Sequence, residues 1–225
     1  MLPHVNDIIV IWREGKGKDR IPIAIVKNDG NNTVFKYIED GVDCARRNGF
    51  VCFPDFPVIN KVYDKNVLNA LSQRVNNRER SDIEEYYNFW EIPSDARKDT
   101  FLMVAYTQGI LPTDNFEFLA EYSSVEGVRF VSEITGLTKN KLDNNCISEG
   151  DELEWRCEPE NESDNMAVAL YKENRKLGYV KRIHNQVFHL RDCDKLKVKV
   201  KKIEHNGHIS RVLILIYNKE TDSIM

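Results

Sequence analysis

The sequence predicts an α+β amino-terminal domain, built from an antiparallel meander plus helices, followed by a small, mostly-β barrel domain. Three observations carry that expectation. Strand-like apolar runs open the chain, and stretches with helical spacing follow them. The linker-like segment 123–127 (SSVEG) then breaks the pattern. Beyond it, short strands recur about every ten residues with one helical interruption, the order of a small barrel or sandwich. The boundary falls near Ser124, which gives domains 1–123 and 124–225.

Residues 7–14 (DIIVIWRE) are apolar enough for a strand, and after the charged loop 15–20 (GKGKDR) residues 21–29 and 31–40 alternate as two more. The Asn-Asp-Gly-Asn-Asn run at 28–32 tolerates positive φ and suits a hairpin turn. Segment 40–50 (DGVDCARRNGF) reads as a short helix with Asp40 or Asp43 as cap and Gly49 past its end. Residues 50–63 (FVCFPDFPVINKVY) mix proline with aromatics, which predicts an irregular segment packed by its rings. Helical spacing recurs at 66–75, 81–92 and 94–109, with Gly109 closing the last, before 110–122 returns to an extended pattern.

In the second half, strands are expected within 129–137, 151–159, 166–174, 176–180, 195–204 and 210–218, and one helix around 181–190 (KRIHNQVFHL). Segment 196–204 (LKVKVKKIE) alternates apolar Leu196, Val198 and Val200 with Lys197, Lys199 and Lys201. Three lysines about 7 Å apart approximate phosphate spacing along a backbone. The competing and slightly favoured reading is an exposed strand guarded from edge aggregation by lysine.

Composition narrows the class. Of 225 residues, 41% are hydrophobic and 30% charged, and no run approaches the roughly 18 to 20 apolar residues of a membrane-spanning helix. No basic leader with a small-residue cleavage site opens the chain, so a cytoplasmic protein is expected, with neither export nor membrane association. Cys44, Cys52, Cys146, Cys157 and Cys193 are odd in number and never form a CxxC, which favours reduced, structural thiols. Net charge is −4, yet residues 133–164 hold 3 basic against 10 acidic side chains and residues 165–211 hold 12 against 4, −7 and +8. One end of the second domain is thereby expected to present a basic face. Phosphate loops, GxGxxG, HExxH and GxSxG are all missing, and the spacing of His184, His189, His205 and His208 fits no standard metal site. The expectation is a protein without enzymatic activity, cofactor or metal.

The most specific string runs from Ser148 through Gly150, Leu153, Pro159, Asn161, Asp164, Met166 and Ala167, then Lys176-Leu-Gly-Tyr-Val-Lys-Arg. It resembles the HIRAN pattern: a Gly-acidic-x-Leu strand, a Pro-Asn-x-x-Asp turn into Val/Ala-rich β, and Leu-Gly-Tyr-Val before a helix. Gly136-Leu137 matches the end of that family's first strand. The resemblance implies a HIRAN, OB-like barrel and nucleic-acid binding, in eukaryotic members of single-stranded DNA with a free 3′ end. Where end-binding members carry an Arg-aromatic-aromatic cluster, this chain has Thr138-Lys139-Asn140, and Met166 stands where the family has Asn.

The residues have a physical reading of their own. Pro159, Asn161 and Asp164 suit a turn in which side-chain oxygens bond backbone N–H groups. Gly178 suits a tight bend before Tyr179. Arg182, Ile183 and His184 would begin a helix whose free N–H groups favour phosphate. The candidate interface is Tyr179 for base stacking, Lys139, Lys181 and Arg182 for phosphate, His184 at the helix start, and Asp164 for a sugar hydroxyl or base edge. Against it stands a purely structural Asp164 and Tyr179 with solvated lysines.

The amino-terminal half, through its opening meander, its Phe-Pro-aromatic segment and the Phe-Leu-containing helix before Gly109 and Leu111-Pro-Thr-Asp, resembles the segment preceding HIRAN in bacterial two-domain proteins and the N-terminal subdomain of HipA-type kinases. No kinase core accompanies it, so protein binding is implied. Arg74, Arg78 and Arg80 form a basic patch, and Trp90 among Tyr86, Tyr87 and Phe89 is a candidate anchor for a protein partner, although such a cluster is more often core. Two functions follow: a non-enzymatic accessory protein whose barrel binds DNA, as single strand or ends, or an antitoxin-like regulator of a HipA-type kinase with the barrel as scaffold.

Overall fold

The computed structural model describes residues 3–15, 17–75, 81–137 and 146–222, and the chain divides into two compact units, Val5–Glu121 and Tyr122–Met225 with Met1–His4. Lys139, Arg78 and Arg80 lie outside the described residues.

The first unit is built on a sheet ordered β3-β2-β1-β4, with β1 Val5–Trp12, β2 Ile21–Asn28, β3 Thr33–Tyr37 and β4 Phe116–Tyr122. Ile8, Ile9, Val10, Ile11 and Trp12 are all buried, so β1 reads as an unbroken apolar run. The β2–β3 turn is held by Asp29, whose Oδ1 accepts from the N–H groups of Asn31 and Asn32 at 2.9 and 2.7 Å. Helix α1, Glu39–Arg46, packs on β2 because position 41 is glycine: a β-carbon there would collide with the Pro22 carbonyl oxygen. Neither expected cap is used. Ile38 is the N-cap, no side chain caps the helix, and Glu39 and Asp40 stand in the first turn, where they favour its dipole.

Residues 50–63 are irregular, and their rings pack inward. Phe53 and Phe56 are buried, Phe56 lies 4.3 Å from Phe35, and the Tyr37 hydroxyl donates to the Phe56 carbonyl at 2.7 Å and accepts from the Phe53 N–H at 2.8 Å. Burial pushes the Tyr37 phenol up to about 12. Three further helices follow, α2 Val67–Ser72, α3 Ile83–Phe89 and α4 Thr100–Thr107; α4 starts later than its apolar spacing suggests, at the Asp99 cap that accepts from the Leu102 N–H at 3.0 Å. Arg74 departs from the surface patch expected of it. It is 6% exposed, clasped by Asp114 at 2.8 Å through two nitrogens, donates to the Gly109 carbonyl, and lies over the Phe118 ring at 4.7 Å.

In the second unit six strands close a barrel, ordered β10-β5-β8-β7-β6-β9: β5 Arg129–Thr135, β6 Glu152–Cys157, β7 Val168–Lys172, β8 Arg175–Val180, β9 Leu196–His205 and β10 Ile209–Asn218. Every pairing around it is antiparallel. Alternate side chains fill the interior, among them Phe130, Ile134, Leu170, Leu177, Val198, Val200, Val212 and Ile214. Closure corrects the reading of β9 as an edge. It is hydrogen-bonded to both β10 and β6, so its lysines guard no free edge. Lys199 faces Glu152 on one side and Leu215 on the other, and a register shift between Leu213 and Ile214 falls opposite Lys201.

The expected helix at 181–190 is a 3-10 helix, His184–His189. Its N-cap is Ile183 at φ 77 and ψ −56, a γ-turn geometry rare for a β-branched residue. That reversal separates the exposed Arg182 from the buried His184, and the helix is too short for the phosphate-binding start expected of it. Among the described residues no helix is long and apolar enough to cross a membrane.

Candidate nucleic-acid interface

The β6–β7 loop is organised by its own side chains. Asn161 Oδ1 accepts from the N–H groups of Ser163 and Asp164 at 3.0 and 3.2 Å, and Asp164 Oδ1 accepts from the Met166 N–H at 3.0 Å. These are local side-chain-to-backbone bonds of the kind Asn and Asp make in turns. The loop ends where the Ala167 carbonyl takes the Glu158 N–H at 2.8 Å and pairing with β7 resumes.

A network of charged and polar groups extends from that loop over β8. Lys176 Nζ donates to Glu158 Oε1 at 2.6 Å and to the Tyr179 hydroxyl at 2.7 Å; the hydroxyl donates to Glu158 Oε2 at 3.0 Å and accepts from Asn161 Nδ2 at 3.1 Å. Lys176 Nζ also lies 4.3 Å from the centre of the Tyr179 ring, and Arg156 lies 4.4 Å from that of Tyr171, whose hydroxyl donates to Glu158 Oε1 at 3.3 Å. Burial opposes the charge on Glu158, but hydrogen bonds from Lys176, Tyr179 and Asn161 outweigh it and hold the carboxyl below the usual glutamate range. Burial likewise opposes the Lys176 ammonium, and its bonds to Glu158 and Tyr179 hold it above the usual lysine range.

At the other end of the loop, Asp164 Oδ2 accepts from Asn185 Nδ2 at 2.9 Å and lies 3.7 Å from Arg182 Nε, whose guanidinium also reaches the Ser163 carbonyl. Asn185 Nδ2 reaches the Met166 carbonyl at 2.7 Å, and His189 Nε2 lies 3.1 Å from the same oxygen. Asn161 therefore joins the predicted Tyr179 to the predicted Asp164 and Arg182 in one connected surface. The Arg182 side chain, 59% exposed, is the cation of that set most open to solvent.

Two predicted residues belong elsewhere. Lys181 is 0% exposed, with Nζ 3.7 Å from Glu133 Oε2 on β5, a carboxylate it shares with Arg211. It stands one residue past β8, and its full burial against Glu133 removes it from any phosphate-contacting surface. His184, 1% exposed, lies against Phe130 at 4.8 Å, and its Nδ1 is 2.9 Å from the Ser132 hydroxyl. Trp90, in the first unit, is half-buried and packs edge-on against Phe89 at 5.3 Å. Among the described residues no group of three His, Cys, Asp or Glu side chains is placed to hold a metal ion.

Glu158, Lys176 and Asn185 are site residues that sequence reasoning passed over. Glu158 sits beside Pro159 in the recognised string, so position marked it, but its partners come from another strand. Asn185 carried no local signal at all. Gly178 was expected to permit a bend; its role is close approach, since a β-carbon there would collide with the Thr135 carbonyl oxygen and stand 2.8 Å from Ile134 Cγ2.

No protein-family model matches the chain, and no curated protein matches it. Among solved structures, it is similar to the HIRAN domain of human HLTF. That likeness covers 43% of this chain and 81% of the other at 13% identity, with a TM-score of 0.33.

Proposed function

We propose that this chain is a non-enzymatic nucleic-acid-binding protein whose barrel takes a DNA strand or strand end on the surface joining the β6–β7 loop to β8. The observation that carries the reading is the continuity of that surface. A half-buried aromatic ring at Tyr179, a fixed carboxylate at Asp164 and an open guanidinium at Arg182 are linked through Asn161 and held before any ligand arrives. Stacking on an aromatic face, hydrogen bonding to a hydroxyl or base edge, and a cation for phosphate are the three contacts by which single strands are held. Preorganisation keeps the ordering cost of binding low. The surplus of cations in residues 165–211 supports the same reading.

The test is titration of labelled single-stranded, duplex and 3′-blocked DNA at low and moderate salt, with the wild type, Arg182→Glu and Tyr179→Ala. Binding at low salt that weakens in both variants is expected. Undetectable binding at low salt, or unchanged affinity in both variants, overturns the reading.

A second reading concerns the Val5–Glu121 unit, where Val51, Val58 and Val62 are exposed and Trp90 is only half-buried. It is a bacterial, HipA-like protein-binding unit that docks a HipA-type kinase. Indole fluorescence of the full chain titrated with such a kinase tests it, and an emission that stays unchanged in wild type and Trp90→Phe alike rejects it.

A further inference from the structure

The barrel brings together two cysteines that the sequence keeps 36 positions apart. The β6–β9 ladder pairs Glu152 with Lys199 and Leu153 with Val198, and further along β6 the Trp155 indole N–H reaches across to the Leu196 carbonyl at 3.2 Å. Two residues further along β6 stands Cys157, its last residue; three residues before Leu196 on the facing segment stands Cys193, first residue of the 3-10 helix Cys193–Lys195. Packing of Trp155 on Phe188, ring centres 5.0 Å apart, holds β6 over this part of the barrel. Cys157 is exposed and Cys193 partly exposed, so both thiols are open to small reagents.

We propose that Cys157 and Cys193 are a reversible redox pair, forming a disulfide that fastens the end of β6 to the turn before β9. The chemistry needs a two-electron oxidant of the hydroperoxide class. One thiolate attacks the peroxide, the O–O bond breaks, and the sulfur becomes a sulfenic acid as hydroxide or alkoxide leaves and is protonated. The second thiolate attacks that sulfur, the S–S bond forms, and the sulfenic oxygen departs as water. Two thiols have then lost two electrons and two protons, and the peroxide has gained them. A small dithiol reverses the step by exchange.

The electrostatics agree with proximity. Burial first, and then the neighbouring Cys193 thiol, push the Cys157 thiol up. A raised thiol is a slow nucleophile near neutral pH, so oxidation is expected to quicken as pH rises. The pair is independent of the nucleic-acid reading, although Cys157 adjoins Glu158, and the loop the bond would close contains Asp164, Tyr179 and Arg182.

The test uses the full chain, folded, treated with hydrogen peroxide, then alkylated and digested with trypsin. Cleavage after Arg156 and Arg191 puts the two cysteines in separate peptides, so the disulfide is read directly as a joined pair that dithiothreitol splits. The expected result is that this pair dominates over any involving Cys44, Cys52 or Cys146, and that Cys157→Ser and Cys193→Ser each abolish it. Full alkylation of both cysteines after oxidation overturns the proposal. So does an equal yield of the pair from chain oxidised in denaturant, because juxtaposition by the fold would then contribute nothing.

Discussion

Glu158 concentrates the chemistry of the barrel surface in one side chain, and its protonation has a predictable effect. Its carboxyl is held below the usual glutamate range, so the stability it contributes is present above the unfolded-state value and is lost as pH falls through the lower, folded-state one. For Lys176, held above the usual lysine range, the contribution is complete below the unfolded-state value and is lost as pH rises through the folded one. Denaturation midpoints of wild type and Glu158→Gln, compared at neutral pH and below about pH 4, are expected to converge on the acid side. A difference that stays constant with pH contradicts the assignment. Gly178 permits an equally direct trial: Gly178→Ala forces a methyl against Thr135 and Ile134 and is expected to cost about 1–3 kcal/mol in urea denaturation.

Between elements, the seams differ in strength. The β9–β10 ladder registers nine residue pairs, whereas β5–β8 and β6–β9 register two each. Local opening is drawn from the elements with fewest backbone bonds. Native-state hydrogen exchange is therefore expected to be faster at Val180 than at Val212 or Ile216, and equal protection across the seams would show that side-chain packing compensates. In the other unit, the link between the turn after α2 and the turn before β4 is the Arg74 clasp. Asp114→Ala leaves a buried guanidinium over Phe118 without its carboxylate and is expected to cost about 3 kcal/mol, measured by denaturant midpoint.

For the molecule as a whole, the net charge of −4 conceals the surplus on which binding would depend. If the barrel surface holds a strand, the logarithm of the affinity falls linearly with the logarithm of salt, and Arg182→Ala lowers the slope by about 1. A slope unaltered by that variant places Arg182 off the interface. The exposure of Arg182 and the burial of Lys181 and His184 within four residues show why a basic stretch overstates its reach. Burial of Lys181 against Glu133 and the reversal at Ile183 decide which cations meet solvent.

Sequence alone determined the order of the elements and the chemistry of the β6–β7 turn. Alternation with period two, helical spacing and the self-bonding of Asn161 and Asp164 are local properties, complete within a few residues. Tertiary structure decided what depends on closure. It made β9 an interior strand, paired Lys181 with Glu133, drew Arg74 under the aromatic rings, and joined Glu158 to Lys176 and Tyr179. It also set Cys157 beside the turn that carries Cys193. Each of these is a partnership across strands or turns remote in sequence, created by the register of a closed barrel or the packing of a core, and no short-range pattern of residues encodes it.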